Sequence, residues 1–100
     1  MSAQLSVIVP VYNEREMLPR FHSRIMAVLD ALDMPADLLY VDDGSDDGSG
    51  DWLDAQQAED PRVAVLRLSR NFGKEAAMSA GFDYAGGAAV VVIDADLQDP

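Results

Sequence analysis

The sequence contains no cysteine, which excludes a disulfide framework and a thiolate metal site. Positive charge is also scarce, because 7 Lys and Arg residues stand against 18 Asp and Glu, giving a net charge of -11. Nucleic acid requires a basic face, so no binding of DNA or RNA is expected. The same acidity excludes an obvious polybasic membrane patch. The net negative charge has two interpretations: it keeps the protein soluble, or it includes a group of carboxylates that holds a cation.

Long apolar runs are missing as well. No stretch approaches the roughly 20 apolar residues of a membrane span, and the N-terminus lacks the basic flank and apolar core of a signal peptide. The P-loop, the GxGxxG fingerprint and the GxSxG elbow are all absent. These absences predict a soluble, cytoplasmic chain. Its 49% of hydrophobic residues can form the core of one small domain, or of part of a larger one.

Apolar segments alternate with amphipathic ones along the chain. Four segments rich in apolar residues are predicted as strands: Leu5 to Val11, Asp37 to Asp43, Arg62 to Leu68 and Ala88 to Asp94. Helices are predicted from near Met17 or Leu18, from Asp51 to Glu59 and from Lys74 to Ala85. This alternation predicts an α/β fold, a parallel doubly wound sheet with helices on both faces.

A polar segment follows each predicted strand. These segments read VYNE, DDGS, SRNFGK and DADLQ in chain order. In parallel sheets, ligands bind beyond the carboxyl ends of the strands. We therefore expect all four segments to lie along one edge of the sheet.

The last polar segment contains Asp94 and Asp96. In an extended chain, residues two apart point the same way, and two close carboxylates repel unless a cation or a proton lies between them. Oxygen ligands favour Mg²⁺ or Mn²⁺ over zinc, and Gln98 offers a further neutral oxygen. The pattern is short, and by itself it is more typical of a solvated acidic loop than of a metal site.

The first two polar segments carry groups suited to a nucleotide base. Asp43 could accept a hydrogen bond from the imide N–H of a base, although Asp42 and Asp43 before Gly-Ser are also ordinary turn residues. Tyr12 could stack on a planar base. Asn13 and Glu14 could touch the ligand or cap the helix that follows.

The third polar segment places cations near the same edge. Arg70 and Lys74 flank Gly73 and could meet phosphate. Alternatively, the segment is a simple loop in which Asn71 caps the third helix. His22 falls among the polar positions of the first helix, and it is interpreted as a solvated surface histidine.

The order and spacing of these motifs are more specific than any motif alone. SVIVPVYNE, YVDDGSDDGS and LSRNFGKEAAMSAGFDYAGGAAVVVIDADLQDP together resemble the family-two inverting glycosyltransferases. The resemblance is greatest to the polyprenyl-phosphate branch, which includes dolichol-phosphate mannose synthase and bacterial undecaprenyl-phosphate sugar transferases. It covers essentially the whole chain. It implies a Rossmann-like sheet of the glycosyltransferase A type, truncated after the fourth strand, with residues 1–100 as the N-terminal nucleotide-sugar-binding half of a catalytic domain.

The resemblance also implies roles for individual residues. The catalytic residues would be Asp94 and Asp96, and the metal ligands for Mg²⁺ or Mn²⁺ would be Asp94, Asp96 and Gln98. The nucleotide would contact Pro10, Val11, Tyr12, Asn13, Glu14, Asp43, Gly73, Lys74, Asp94 and Ala95.

The implied reaction moves a sugar from a UDP- or GDP-sugar to a polyprenyl phosphate. Members of this branch continue beyond the DxD with acceptor-binding elements and often membrane helices. The resemblance therefore implies that the isolated chain is inactive and associates with a membrane only through missing C-terminal segments. The full-length protein would lie in the cytoplasm or on the cytoplasmic face of the membrane. An exposed fourth strand also makes a homodimer, or aggregation, an expectation.

Two other classes of protein remain as alternatives. A DxD phosphohydrolase would use Asp94 as nucleophile and Asp96 as acid and base, but this class usually has a hydroxyl residue near the position of Gln98. A non-catalytic nucleotide-binding or receiver-like module could use Asp42 and Asp43 for a metal. A receiver would also need an acceptor aspartate at the end of the next strand, which here ends LRLSR.

Overall fold

The computed structural model describes residues 4–85 and 89–95. The elements follow the predicted alternation: β1 Leu5–Val11, α1 Leu18–Ala31, β2 Ala36–Asp42, α2 Ser49–Glu59, β3 Val63–Arg67, α3 Lys74–Ala85 and β4 Ala89–Val92. The four strands are parallel, in the order β3-β2-β1-β4. The predicted α/β class is confirmed. The differences lie at strand and helix ends: β3 is shorter than predicted, α2 begins earlier and β4 ends at Val92.

Alternate residues of β1 face opposite sides of the sheet, as the two-residue period of a strand requires. Val7 and Val9 pack with the apolar face of α1 and with Leu53 of α2. Ile8 packs on the other side with Ala77 and Ala85 of α3. Helices therefore cover both faces, as predicted. The buried residues of α1 recur at three- and four-residue spacings and are Leu18, Phe21, Ile25 and Leu29.

His22 is not the solvated surface residue that its polar neighbours indicated. Its side chain is half-buried, and its Nδ1 lies 2.7 Å from the hydroxyl of Tyr40. Tyr40 belongs to the buried part of β2, where a phenol needs a hydrogen-bond partner. The His22 ring also meets the edge of the Trp52 ring, with 5.6 Å between centroids. Burial lowers the pKa of His22 below its ordinary value.

Helix α3 packs closely on the sheet through small residues. Ala77, Gly81 and Ala85 are buried, and Ala80 is half-buried. A Cβ atom at Gly81 would lie only 2.8 Å from Cγ2 of Ile8, so the helix approaches β1 at the distance that glycine permits.

The strand order reverses at β1. β2 and β3 lie on one side of β1, and β4 lies on the other. Within the described residues β4 is thus an edge strand, as predicted, and Val91 is 43% exposed. Such a reversal opens a crevice at the carboxyl ends of the two diverging strands, where ligands bind in open α/β sheets. None of the helices in the described part of the chain has both the length and the apolar character needed to cross a bilayer.

Candidate functional site

A cavity of about 410 Å³ lies at the carboxyl edge of the sheet, at the point where the strand order reverses. Residues following each of the four strands contribute to it, which brings the four polar segments together as predicted. Its walls are formed by Pro10, Val11, Tyr12, Glu14, Asp43, Asn71, Gly73, Lys74, Ala77 and Asp94.

Every residue predicted to bind the nucleotide lines this cavity except Asn13 and Ala95. Asn13 adopts the left-handed conformation, with φ of 51°. Its N–H donates to Ser45 Oγ and its Oδ1 accepts from the N–H of Asp46, each at 2.9 Å. Its side chain therefore joins two loops. Ala95 is buried in the core.

Sequence reasoning missed two lining residues, Asn71 and Ala77. Asn71 was considered only as a helix cap, and its Oδ1 accepts from the N–H of Gly73 at 2.9 Å. The signal that could have identified Asn71 is its place within SRNFGK, between residues already assigned to the edge. Ala77 offers no such signal, because only the close packing of α3 brings it to the cavity.

The predicted metal ligands can be placed only in part. Asp94 lines the cavity, whereas Asp96 and Gln98 lie outside the described residues. Within 4–85 and 89–95, no three histidine, aspartate or glutamate side chains converge on a position suited to a metal ion.

The loops after β1 and β2 interlock beside the cavity. The buried hydroxyl of Ser49 donates to Asp47 Oδ1 at 2.6 Å and accepts from the N–H of Glu14 at 3.2 Å. Asp47 Oδ2 accepts from the N–H of Arg15 at 3.1 Å. Desolvation opposes ionisation of Asp47, but its hydrogen bonds to Ser49 and Arg15 lower its pKa overall. This network holds the backbone of Glu14 against the second loop.

The two aspartates at the end of β2 have different surroundings. Asp42 is almost fully buried, accepts from the N–H of Ser45 at 3.1 Å and lies 3.8 Å from the Arg67 guanidinium. The turn-cap interpretation is therefore right for Asp42.

Asp43 faces the cavity and also binds the loop that follows β3. Its two carboxylate oxygens accept from the N–H groups of Phe72 and Gly73, at 2.8 and 3.0 Å. Asp43 thereby couples the second and third polar segments.

Opposite charges meet where α3 begins and β4 ends. Lys74 Nζ lies 2.5 Å from Asp94 Oδ1, and both side chains are roughly half exposed. Glu14 and Asp43 add further carboxylates to the cavity wall. Arg70, which was expected near the same edge, stacks its guanidinium over the Phe72 ring at 4.9 Å and is not among the lining residues. The surplus of carboxylates makes the cavity favourable to cations.

Known proteins are similar to this chain both in sequence and in fold. The curated relatives include an uncharacterised glycosyltransferase of Bacillus subtilis (strain 168), 48% identical over 97% of this chain and 30% of its own length. Another is the undecaprenyl-phosphate 4-deoxy-4-formamido-L-arabinose transferase of Pseudomonas syringae pv. syringae, 46% identical over 96% of this chain and 29% of its own length. The chain thus spans about 30% of the length of these relatives.

Among solved structures, the Pyrobaculum calidifontis mannosyltransferase in complex with GDP-Man and Mn²⁺ matches with a TM-score of 0.80 and 26% identity. The match covers 96% of this chain and 28% of that protein, and it confirms the glycosyltransferase A type of the sheet. The profile of Glycosyl transferase family 2 matches residues 6–100. The chain therefore belongs to glycosyl transferase family 2.

Proposed function

We propose that this chain supplies the donor and metal site of a metal-dependent inverting glycosyltransferase. In this proposal, residues 1–100 are the N-terminal nucleotide-sugar-binding half of the catalytic domain. The observation that carries it is the cavity at the strand reversal, where all four polar segments meet. The bound GDP-Man and Mn²⁺ of the Pyrobaculum relative support a nucleotide-sugar donor and a divalent metal. The name of the Pseudomonas relative supports an undecaprenyl-phosphate acceptor.

The base of a UDP- or GDP-sugar is assigned to the β1 and β2 side of the cavity. Tyr12 is 44% exposed, so its ring is accessible for stacking on a base. Asp43 already accepts two backbone hydrogen bonds, but a carboxylate has about four acceptor positions and can still take an imide N–H. The other residues proposed to contact the nucleotide are Pro10, Val11, Asn13, Glu14, Gly73, Lys74, Asp94 and Ala95.

The groups at the cavity fit Mg²⁺ or Mn²⁺. Asp94 presents a half-exposed carboxylate that already has a cation, the Lys74 ammonium, against it. The neighbouring acidic groups, Glu14 and Asp43, are also oxygen donors, which magnesium and manganese prefer. We assign Asp94, Asp96 and Gln98 as metal ligands. A metal bound there would act as a Lewis acid and neutralise charge on the leaving diphosphate.

The chain's own residues bind and orient the donor in this reaction. Asp94 and Asp96, the proposed catalytic residues, would hold a divalent cation that neutralises the diphosphate end of the donor, while Tyr12 and Asp43 fix the base. The acceptor phosphate is already ionised near neutral pH, so it attacks the anomeric carbon without a strong general base. The bond from that carbon to the diphosphate oxygen breaks, its electron pair stays on the diphosphate, and the configuration inverts.

The remaining assignments concern the whole protein. We propose that residues outside these 100 bind the polyprenyl phosphate, so the isolated chain does not transfer sugar. We also propose that such residues attach the protein to the cytoplasmic face of a membrane, because a polyprenyl acceptor resides in the bilayer. The exposed β4 edge supports a homodimer of the isolated chain.

Calorimetry with UDP- and GDP-sugars tests donor binding. We expect binding with Mg²⁺ or Mn²⁺ and none with EDTA, because acidic side chains repel a diphosphate unless a cation lies between them. Asp96→Asn should weaken binding more than the matched control Asp99→Asn, since Asp99 lies outside the DxD. Equal affinity with and without EDTA would refute the metal role. Sugar transfer by the isolated chain above a no-enzyme control would refute its inactivity.

A further inference from the structure

One ammonium group lies against Asp94, the first of the proposed metal ligands. Lys74 is the only lysine in the sequence. It is the first residue of α3, and its Nζ lies 2.5 Å from Oδ1 of Asp94 beyond the end of β4. Both residues line the cavity. The ion pair therefore lies at the cavity wall, on the DxD carboxylate that is proposed to bind a metal.

We propose that Lys74 is an exchangeable counter-ion. It neutralises Asp94 before the metal binds and moves to the donor diphosphate when the metal takes its place. The proposal rests on the proposed function, because it requires Asp94 to be a metal ligand.

Distance is the first argument for exchange. A magnesium ion binds a carboxylate oxygen at about 2.0–2.1 Å. The ammonium at 2.5 Å from the same carboxylate would then lie within a few ångströms of a doubly charged ion, and like charges at such a separation repel strongly. Lys74 and the metal therefore compete for Asp94.

The destination of Lys74 follows from the charges around it. The described cavity wall is rich in carboxylates, so a displaced ammonium remains attracted to the cavity. A diphosphate arriving with the metal adds several negative charges at the same place. Lysine has a flexible four-carbon stem and serves proteins as a mobile phosphate-binding charge. Lys74 can therefore exchange a carboxylate for a phosphate without movement of α3.

This exchange predicts coupling between the metal and the nucleotide. Metal alone must displace Lys74 and should bind weakly. Metal together with a diphosphate gives Lys74 a new partner and should bind more tightly. A half-exposed ion pair typically changes an equilibrium constant by a factor of about 1.5 to 5. We expect the pairing of Lys74 with Asp94 to weaken metal binding by a factor in this range.

Electron paramagnetic resonance of Mn²⁺ measures the competition directly, because binding removes the signal of the free ion. Without nucleotide, Lys74→Met should tighten Mn²⁺ binding by about 1.5- to 5-fold. Lys74→Arg, which keeps the charge, should remain near the wild type. Arg24→Met removes one positive charge from an exposed position of α1 and is the control for net charge. With UDP or GDP present, Lys74→Met should no longer bind Mn²⁺ more tightly than the wild type and could bind it more weakly, because the diphosphate then loses its lysine partner.

A second measurement uses the unaltered sequence. Reductive methylation with ¹³C-formaldehyde labels Lys74 and the terminal α-amine, and it preserves the positive charge. The NMR signal of methylated Lys74 should shift on addition of Mg²⁺ and shift again with UDP or GDP. The α-amine signal is the internal reference.

Different results would overturn different claims. If Lys74→Met leaves Mn²⁺ affinity unchanged or weakens it, or if the Lys74 signal does not respond to Mg²⁺, the exchange is refuted. If Asp94→Asn binds Mn²⁺ as tightly as the wild type, the metal role of Asp94 fails and the exchange fails with it. Weaker binding by Asp94→Asn together with no effect of Lys74→Met would refute the exchange alone.

Discussion

Gly44 is where the loops after β2 and β3 touch backbone to backbone. Its φ is +76°, and a Cβ atom there would lie 2.3 Å from the carbonyl carbon of Arg70 and 2.5 Å from the amide nitrogen of Asn71. Gly48 has a φ of +92° with no atom within 4 Å of the same position. Comparing Gly44→Ala with Gly48→Ala therefore separates the cost of close contact from the cost of backbone conformation.

Both variants place alanine in the left-handed conformation, which costs about 1–2 kcal/mol for an L-residue. Gly44→Ala must also push away the backbone of the next loop, and overpacking typically adds about 1–3 kcal/mol. We expect the free energy of unfolding to fall by about 1–2 kcal/mol for Gly48→Ala and by roughly 2–5 kcal/mol for Gly44→Ala.

Urea denaturation followed by the fluorescence of Trp52, the only tryptophan, measures both values. The displaced loop carries Asn71 and Gly73, which line the cavity. Gly44→Ala should therefore also weaken binding of a nucleotide sugar, whereas Gly48→Ala should not. A loss of stability for Gly44→Ala no larger than that for Gly48→Ala would show that the close contact does not exist in solution.

Three further predictions concern the core, the loops and the sheet edge. Burial lowers the pKa of His22, so the folded state favours the neutral imidazole. The free energy of unfolding should therefore be highest above about pH 6.5 and should decrease as the pH falls below it. His22→Gln should flatten this dependence in urea titrations between about pH 7 and 5.5. Ser49→Ala breaks a buried network and should cost about 1–3 kcal/mol, whereas exposed Ser23→Ala should be nearly neutral. Val91→Lys should shift sedimentation of the chain towards monomer, with circular dichroism to verify folding; a wild type that is monomeric at every concentration would contradict self-association through β4.

Local patterns determined which segments form strands and helices. The apolar run from Leu5 to Val11 predicted the bounds of β1. The amphipathic pattern from near Met17 or Leu18 predicted α1. Because parallel strands end at one edge, the same patterns also located the four polar segments. These inferences succeeded because each depends on residues that are close together in the chain.

Errors and omissions arose where a side chain meets a distant part of the chain. His22 was predicted to be solvated because its neighbours in sequence are polar, but its partner Tyr40 comes from the adjacent strand layer. Nothing near Asp43 in the sequence indicates that its carboxylate accepts from Phe72 and Gly73.

The sequence by itself determined the α/β class, the succession of elements and the edge of the sheet at which the four polar segments meet, since periodicity and strand direction are properties of the chain. Only the tertiary structure decided the strand order β3-β2-β1-β4, the pairing of Lys74 with Asp94 and the burial of His22. The physical reason is that hydrophobic patterning specifies which face of an element is buried, but not which element covers it. Ion pairs and hydrogen bonds act over a few ångströms, so their partners are set only when the strands and helices have packed together.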